Sequence, residues 1–232
     1  MWPMFYDHVY LMVILAGMVI SGAAALLVQG TFARFNRIRT ARGLTGAQVA
    51  RRILDRAGLH DVAVERVGGH LTDHYDPRSH VLRLSQSVYD SSSISALGVA
   101  AHEAGHALQQ ATGYAPLFLR NAVVPVAGLG TNIGITLVIV GAVLFGLETY
   151  LGTTLAYLGV ALFGGFVFFT LITLPVEFDA SRRAMVALRN DGFLSTVEAD
   201  GARKVLTAAA LTYVAGAIAH SAASSGRCIA RG

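Results

Sequence analysis

The stretch NAVVPVAGLGTNIGITLVIVGAVLFGLETYLGTTLAYLGVALFGGFVFFTLITLPVE, residues 121–177, carries a single charge, Glu148, before its terminal acid Glu177. A hydrocarbon core of about 30 Å needs ~20 apolar residues at 1.5 Å each. The stretch therefore holds two spans, 126–147 and 151–174, with a tight turn at Glu148. Upstream, Val9 to Gln29 is a third uncharged run of spanning length. Asp7 precedes it and Arg34, Arg37, Arg39 and Arg42 follow it. A signal peptide has the opposite charge order, so this run reads as an uncleaved anchor. Basic residues favour the cytoplasmic side. Arg120 before the pair of spans, and Arg182, Arg183 and Arg189 after it, agree with the arginines behind the anchor. All three spans then give one orientation: N-terminus and Glu148 outside, everything else between the spans inside.

The composition agrees. Hydrophobic residues make up 54% of the 232 and charged residues 14%, against ~25% charged in an ordinary soluble domain. A net charge of +4 without a basic tract gives nucleic-acid binding little support. One cysteine, Cys228, excludes an intrachain disulfide framework and a cysteine-based zinc site. The Ala-rich run 205–226, with Tyr213 and His220, reads as a fourth span, a partly inserted helix or a helix packed on the core. His220 reads as a packing residue.

The charge sits between these runs. Residues 44–58, LTGAQVARRILDRAG, have a capping box in Thr45 and Gln48, staple positions in Leu44 and Val49, and a terminator in Gly58. Residues 62–84 change period. Val62, Val64 and Val67 suggest a first strand, and the Asp76-Pro77-Arg78-Ser79 turn joins 71–75 to 80–84 as a hairpin. The expectation is a small antiparallel sheet whose exposed edge can hold a peptide. Ser95 to Thr112 reads as a helix ended by Gly113, and Glu103 is its only charge. A buried carboxylate must be paired, coupled to a metal or neutralised.

That helix contains His-Glu-x-x-His, residues 102–106. Random placement of 8 histidines and the glutamates present would produce the motif in roughly 0.6% of such chains. His102 and His106, four apart, share a helix face and can offer two imidazole nitrogens to one ion. Glu103, turned by about 100°, can stand beside a water without ligating. A catalytic zinc takes three protein ligands and leaves one position to water, so a third ligand must come from elsewhere. The segment 174–191 supplies the candidate Glu177, with Pro175 expected at the start of a helix. The other reading of Glu177 is an acid favoured by a helix N-terminus. Asp179 is expected either to orient a ligand histidine or to be a helix N-terminal acid. His74, Tyr75 and Tyr213 are candidate oxyanion donors by chemistry alone.

The chain contains HEAGH (102–106), VEFDASRRA (176–184), LTDHYDPRSHVLRLS (71–85) and EADGARKVLTAAALTYVA (198–215). Together they resemble the YugP-like bacterial membrane-bound neutral zinc metallopeptidases. The chain is more distantly similar to the HtpX-like membrane proteases. The resemblance runs from the first span to about residue 215. It implies a gluzincin-type core with two spans between the zinc helix and a downstream glutamate ligand. It implies one Zn²⁺ per chain on His102, His106 and Glu177, with Glu103 as base. The HtpX-like pattern has an Asp four residues after the ligand Glu. Here that position is Ser181, and Asp179 lies two residues after Glu177.

The expected protein is mainly α and multi-pass in a bacterial inner membrane, with its N-terminus outside. Residues 1–30 form an anchor, 31–120 and 175–204 a cytoplasmic gluzincin-like α+β core, 121–174 a two-span hairpin, and 205–232 the apolar C-terminal helix. Its expected activity is zinc-dependent endopeptidase cleavage of a peptide or protein substrate at the bilayer. Two rivals are a protease cutting within the membrane and a non-catalytic zinc-binding scaffold or assembly factor.

Overall fold

The computed structural model describes residues 8–69 and 72–229. It is mostly helical, with one small sheet: α1 (His8–Asn36), α2 (Gly46–Arg56), β1 (Ala63–Val67), β2 (His74–Asp76), β3 (Val81–Ser85), α3 (Gln86–Tyr89), α4 (Ile94–Ala111), α5 (Ala115–Val140), α6 (Tyr150–Asn190) and α7 (Thr196–Ile229). A π-helical turn, Gly141–Phe145, leads from α5 into the tip before α6. Helix α5 packs along α6, and α1 along α7. Helix α4 lies against α2, α6 and α7, at the centre of the apolar core.

Local signals account for the element ends. Both bonds of the expected capping box start α2: Thr45 Oγ1 accepts from Gln48 N, and Gln48 Oε1 accepts from Thr45 N. Val49, Ala50, Ile53 and Leu54 form its buried stripe. Ser93 Oγ caps α4 by accepting from Ala96 N. The turn after β2 is built by Asp76, whose carboxylate accepts from Arg78 N at 3.0 Å, Ser79 Oγ at 2.6 Å and Arg83 Nη1 at 3.2 Å.

Two expectations are corrected. The sheet is mixed rather than antiparallel, in the order β1-β3-β2. Strand β2 pairs antiparallel with β3 as the hairpin reading requires, Tyr75 opposite Leu82, but β1 pairs parallel with β3, Val64 opposite Leu82. After β1 the chain crosses to the far side of the position β3 will take, so β3 returns between the two in the direction of β1. Pro175 does not begin a helix. It lies inside α6, which is continuous from Tyr150 to Asn190. The apolar run before it is itself helical, so the proline removes one backbone donor without ending the element.

One stretch among the described residues, Met18–Asn36 in α1, is long and apolar enough to cross a membrane by length and composition. Shorter apolar helical stretches run over Ala115–Val124, Thr136–Phe145 and Tyr150–Leu162. Large apolar side chains are exposed along α5, the π-helical turn and α6, among them Ile139, Leu144, Leu151, Leu158, Phe168 and Leu171.

Candidate metal centre

The site forms where α4 crosses α6. Ala101, Ala104 and Gly105 are buried, so the two backbones can approach closely. A Cβ added at Gly105 would lie 2.6 Å from the carbonyl oxygen of Ala180. This contact sets the His102–His106 face of α4 against the Glu177–Ser181 turn of α6.

His102, His106 and Glu177 converge there, with one ligand atom from each lying within 4.8 Å of the others. His102 Nε2 is 3.1 Å from Glu177 Oε2, and His106 Nε2 is 3.8 Å from Glu177 Oε1. The second ring nitrogens are tied from behind. His102 Nδ1 meets Ser181 Oγ at 3.1 Å, and His106 Nδ1 meets Gln109 Oε1 at 3.0 Å. Two imidazoles with their Nε2 atoms turned inward and one carboxylate form a donor set suited to zinc.

Glu103 stands beside this group, not within it. Its Oε2 accepts a hydrogen bond of 3.1 Å from the backbone N–H of Tyr75, on the outer edge of β2. Burial, reinforced by the charges of Glu177 and Asp73, holds the Glu103 carboxyl above the usual range, against the pull of His102. For Glu177, burial acts upward. The hydrogen bond from His102 and the charges of His106, His102 and Arg120 outweigh it and bring the carboxyl down to about 2. Burial brings His106 down to about 4. His102 is subject to the same burial, yet its bond to Glu177 and the charge of Glu103 raise it above the ordinary value.

The remaining candidates divide. Asp179 does not touch a ligand histidine. It accepts from Gln109 Nε2 at 3.0 Å and from Arg183 Nε at 2.6 Å, and pairs with Arg182. Nor is it a helix N-terminal acid, since α6 begins 29 residues earlier, at Tyr150. Tyr75 contributes its backbone, while its half-buried ring packs on the core. His74 is exposed and turned to the carbonyl of Thr72, outside the cluster. Tyr213 on α7 interacts electrostatically with Glu177, Arg120 and Glu103. The side chain of His220 lies outside the described residues.

Three groups at the site were not anticipated in these roles. Arg120 approaches Glu177 Oε1 to 3.7 Å; in the sequence it reads only as a charge flanking a span. Gln109 is fully buried one turn beyond His106, where a polar residue on a buried helix face was the available signal. Ser181 stands out in the sequence only as a departure from a resembling pattern, and its hydroxyl meets His102 Nδ1.

The family model described as "Putative neutral zinc metallopeptidase" matches residues 10–225. The chain belongs to this family. It is 45% identical over 209 residues to the "Putative membrane protease YugP" of Bacillus subtilis (strain 168), covering 90% of each chain. No solved structure matches it. Zinc is thus the metal of the family, and His102, His106 and Glu177 can hold a single ion.

Proposed function

We propose that the protein is a membrane-anchored endopeptidase of the gluzincin type, working at the cytoplasmic face of a bacterial inner membrane. The observation that carries this reading is the placement of Glu103: next to a three-donor metal group, yet tied by one oxygen to the edge of a sheet. His102, His106 and Glu177 hold the ion. Zinc, when bound, supplies Lewis acidity towards a scissile carbonyl and towards water.

The chain's own residues do the rest. Tyr75 N–H fixes Glu103 Oε2, leaving Oε1 to take a proton from the attacking water. The raised proton affinity of Glu103 suits it to accept that proton before passing it to the leaving amine. An extended peptide is placed along the outer edge of β2 beside Glu103, where Tyr75 N–H is already taken by Glu103. Arg120 borders the site, and Tyr213 on α7 lies within electrostatic reach of it; both are candidate partners for negative charge developing on the substrate. A closed scaffold site would need a fourth protein ligand, and among the described residues the metal group contains three.

Helix α6 supports the position at the membrane. Glu177 is 27 residues beyond Tyr150, or about 40 Å along the helix. A rod inserted from the Tyr150 end would carry Glu177 just past a hydrocarbon layer of about 30 Å. The exposed apolar side chains of α5 and α6 suit a two-span hairpin over 121–174, and α7 accompanies the anchor α1. The core is then 31–120 with 175–204.

The test is Glu103→Gln. It retains zinc and loses ~10²–10⁴-fold in cleavage of quenched-fluorescent peptides. Undiminished cleavage would remove the assigned base. Comparing cleavage products between wild-type and Glu103→Gln native membranes then identifies substrates.

A further inference from the structure

We propose that Gln109 is the positioning residue that fixes which nitrogen of His106 faces the metal, and that Asp179 acts on the site only through it. The inference rests on the metal-site reading given above. Its basis is the direction of the hydrogen bonds made by the Gln109 side chain. The amide Nε2 lies 2.8 Å from the backbone carbonyl oxygen of Val176 and 3.0 Å from Asp179 Oδ2. A carbonyl and a carboxylate only accept, so both Nε2 hydrogens are committed and the amide cannot be turned over.

Gln109 Oε1 is therefore the atom at 3.0 Å from His106 Nδ1, and it can only accept. The proton must reside on Nδ1. In the neutral ring this leaves the lone pair on Nε2, the nitrogen on the Glu177 side. Ser181 places no such constraint on His102, because its hydroxyl at Nδ1 can donate or accept. The two histidines are thus held differently, one by a fixed amide and one by a rotating hydroxyl.

Asp179 completes the chain of bonds. Its Oδ2 accepts from both Gln109 Nε2 and Arg183 Nε, and Arg183 Nη1 donates in turn to Thr112 Oγ1 at 3.0 Å. Gln109 and Asp179 are both buried. The relay joins the end of α4 to α6, so the orientation of His106 is tied to the helix that carries Glu177.

The experiment uses the full chain in detergent, in the Glu103→Gln background so that activity plays no part. Zinc affinity is measured by chelator competition and the histidine ring nitrogens by ¹⁵N NMR. His106 is assigned from the spectrum of His106→Gln. Gln109→Met removes the acceptor at similar volume and weakens zinc binding by ~10–100-fold. Gln109→Glu also weakens it, because the new carboxylate confronts Asp179 and the Val176 carbonyl. Gln109→Glu combined with Asp179→Asn keeps the total charge and restores a donor to residue 109. It recovers ~10-fold in affinity over Gln109→Glu alone, a rescue that loss of packing would not produce.

In the metal-free parent, the His106 proton is found on Nδ1. Parent-like zinc affinity in Gln109→Met, no recovery in the double variant, or a His106 proton on Nε2 would each overturn the proposal. A parent chain that binds no zinc would instead defeat the metal-site reading. The nitrogen measurement needs no metal and would still decide the role of Gln109.

Discussion

Three groups face Glu177: His102 Nε2 lies against one oxygen, and His106 Nε2 and Arg120 Nη2 lie nearest the other. In a pocket this enclosed the carboxylate stays ionised, and it offers charge to an ion that two neutral imidazoles alone would hold weakly. Loss of a residue that merely supports a ligand costs 10–100-fold in metal affinity. Loss of the ligand itself should cost more. Glu177→Ala is expected to lower zinc affinity by ~100-fold or more, read by chelator competition on folded protein. Unchanged binding at one zinc per chain would remove Glu177 from the ligand set. The shared face of His102 and His106, and the turn of Glu103 away from it, were legible because helical spacing defines their directions before any tertiary structure is known. Gln109, Ser181 and Arg120 were not. Their roles depend on which atoms of α6 they meet, and no spacing along α4 or α5 encodes that.

At the scale of the element, the site depends on how closely α4 and α6 cross. Gly105→Ala places a methyl group against the backbone of Ala180, which has no rotamer by which to move away. The helices must separate, at a cost of about 1–3 kcal/mol for overpacking. The separation also draws the histidines from Glu177, so thermal stability and zinc affinity should fall together. Thr45→Ala provides the contrast. It removes the N-cap acceptor of α2 and should cost about 1 kcal/mol, with zinc affinity unchanged. Circular dichroism melts and chelator competition on the two variants separate these cases. A Gly105→Ala protein with wild-type affinity would show that the close crossing is not what aligns the donors. Elements with local start signals were readable in sequence: the capping box of α2, the Asp76 turn, and the glycine after α4. The parallel pairing of β1 with β3 was not, because the hairpin signal concerns only neighbouring strands. The continuity of α6 through Pro175 was also hidden, since a proline that starts a helix and one embedded in a longer helix have the same local sequence.

For the whole molecule, orientation follows from charge distribution. Arg34, Arg37, Arg39 and Arg42 lie at or after the end of the apolar stretch of α1, and Arg182, Arg183 and Arg189 follow the proposed hairpin. Arg120, the remaining flank, approaches Glu177 and is accounted for by the site, so it carries less weight as a topological signal. The other seven arginines lie on the core side of the proposed spans, and the tip around exposed Glu148 has neither Lys nor Arg. Basic residues are retained in the cytoplasm. The core should therefore lie inside and the tip outside. With Cys228→Ser as background, Glu148→Cys is expected to react with a membrane-impermeant maleimide on intact cells. Arg52→Cys, on the exposed face of α2, should react only after the membrane is opened. The reverse pattern would put the metal group on the outer face. Labelling of both sites on intact cells would mean that residues 121–174 do not cross as a hairpin. The 40 Å of α6 between Tyr150 and Glu177 would then have to lie along the bilayer rather than through it.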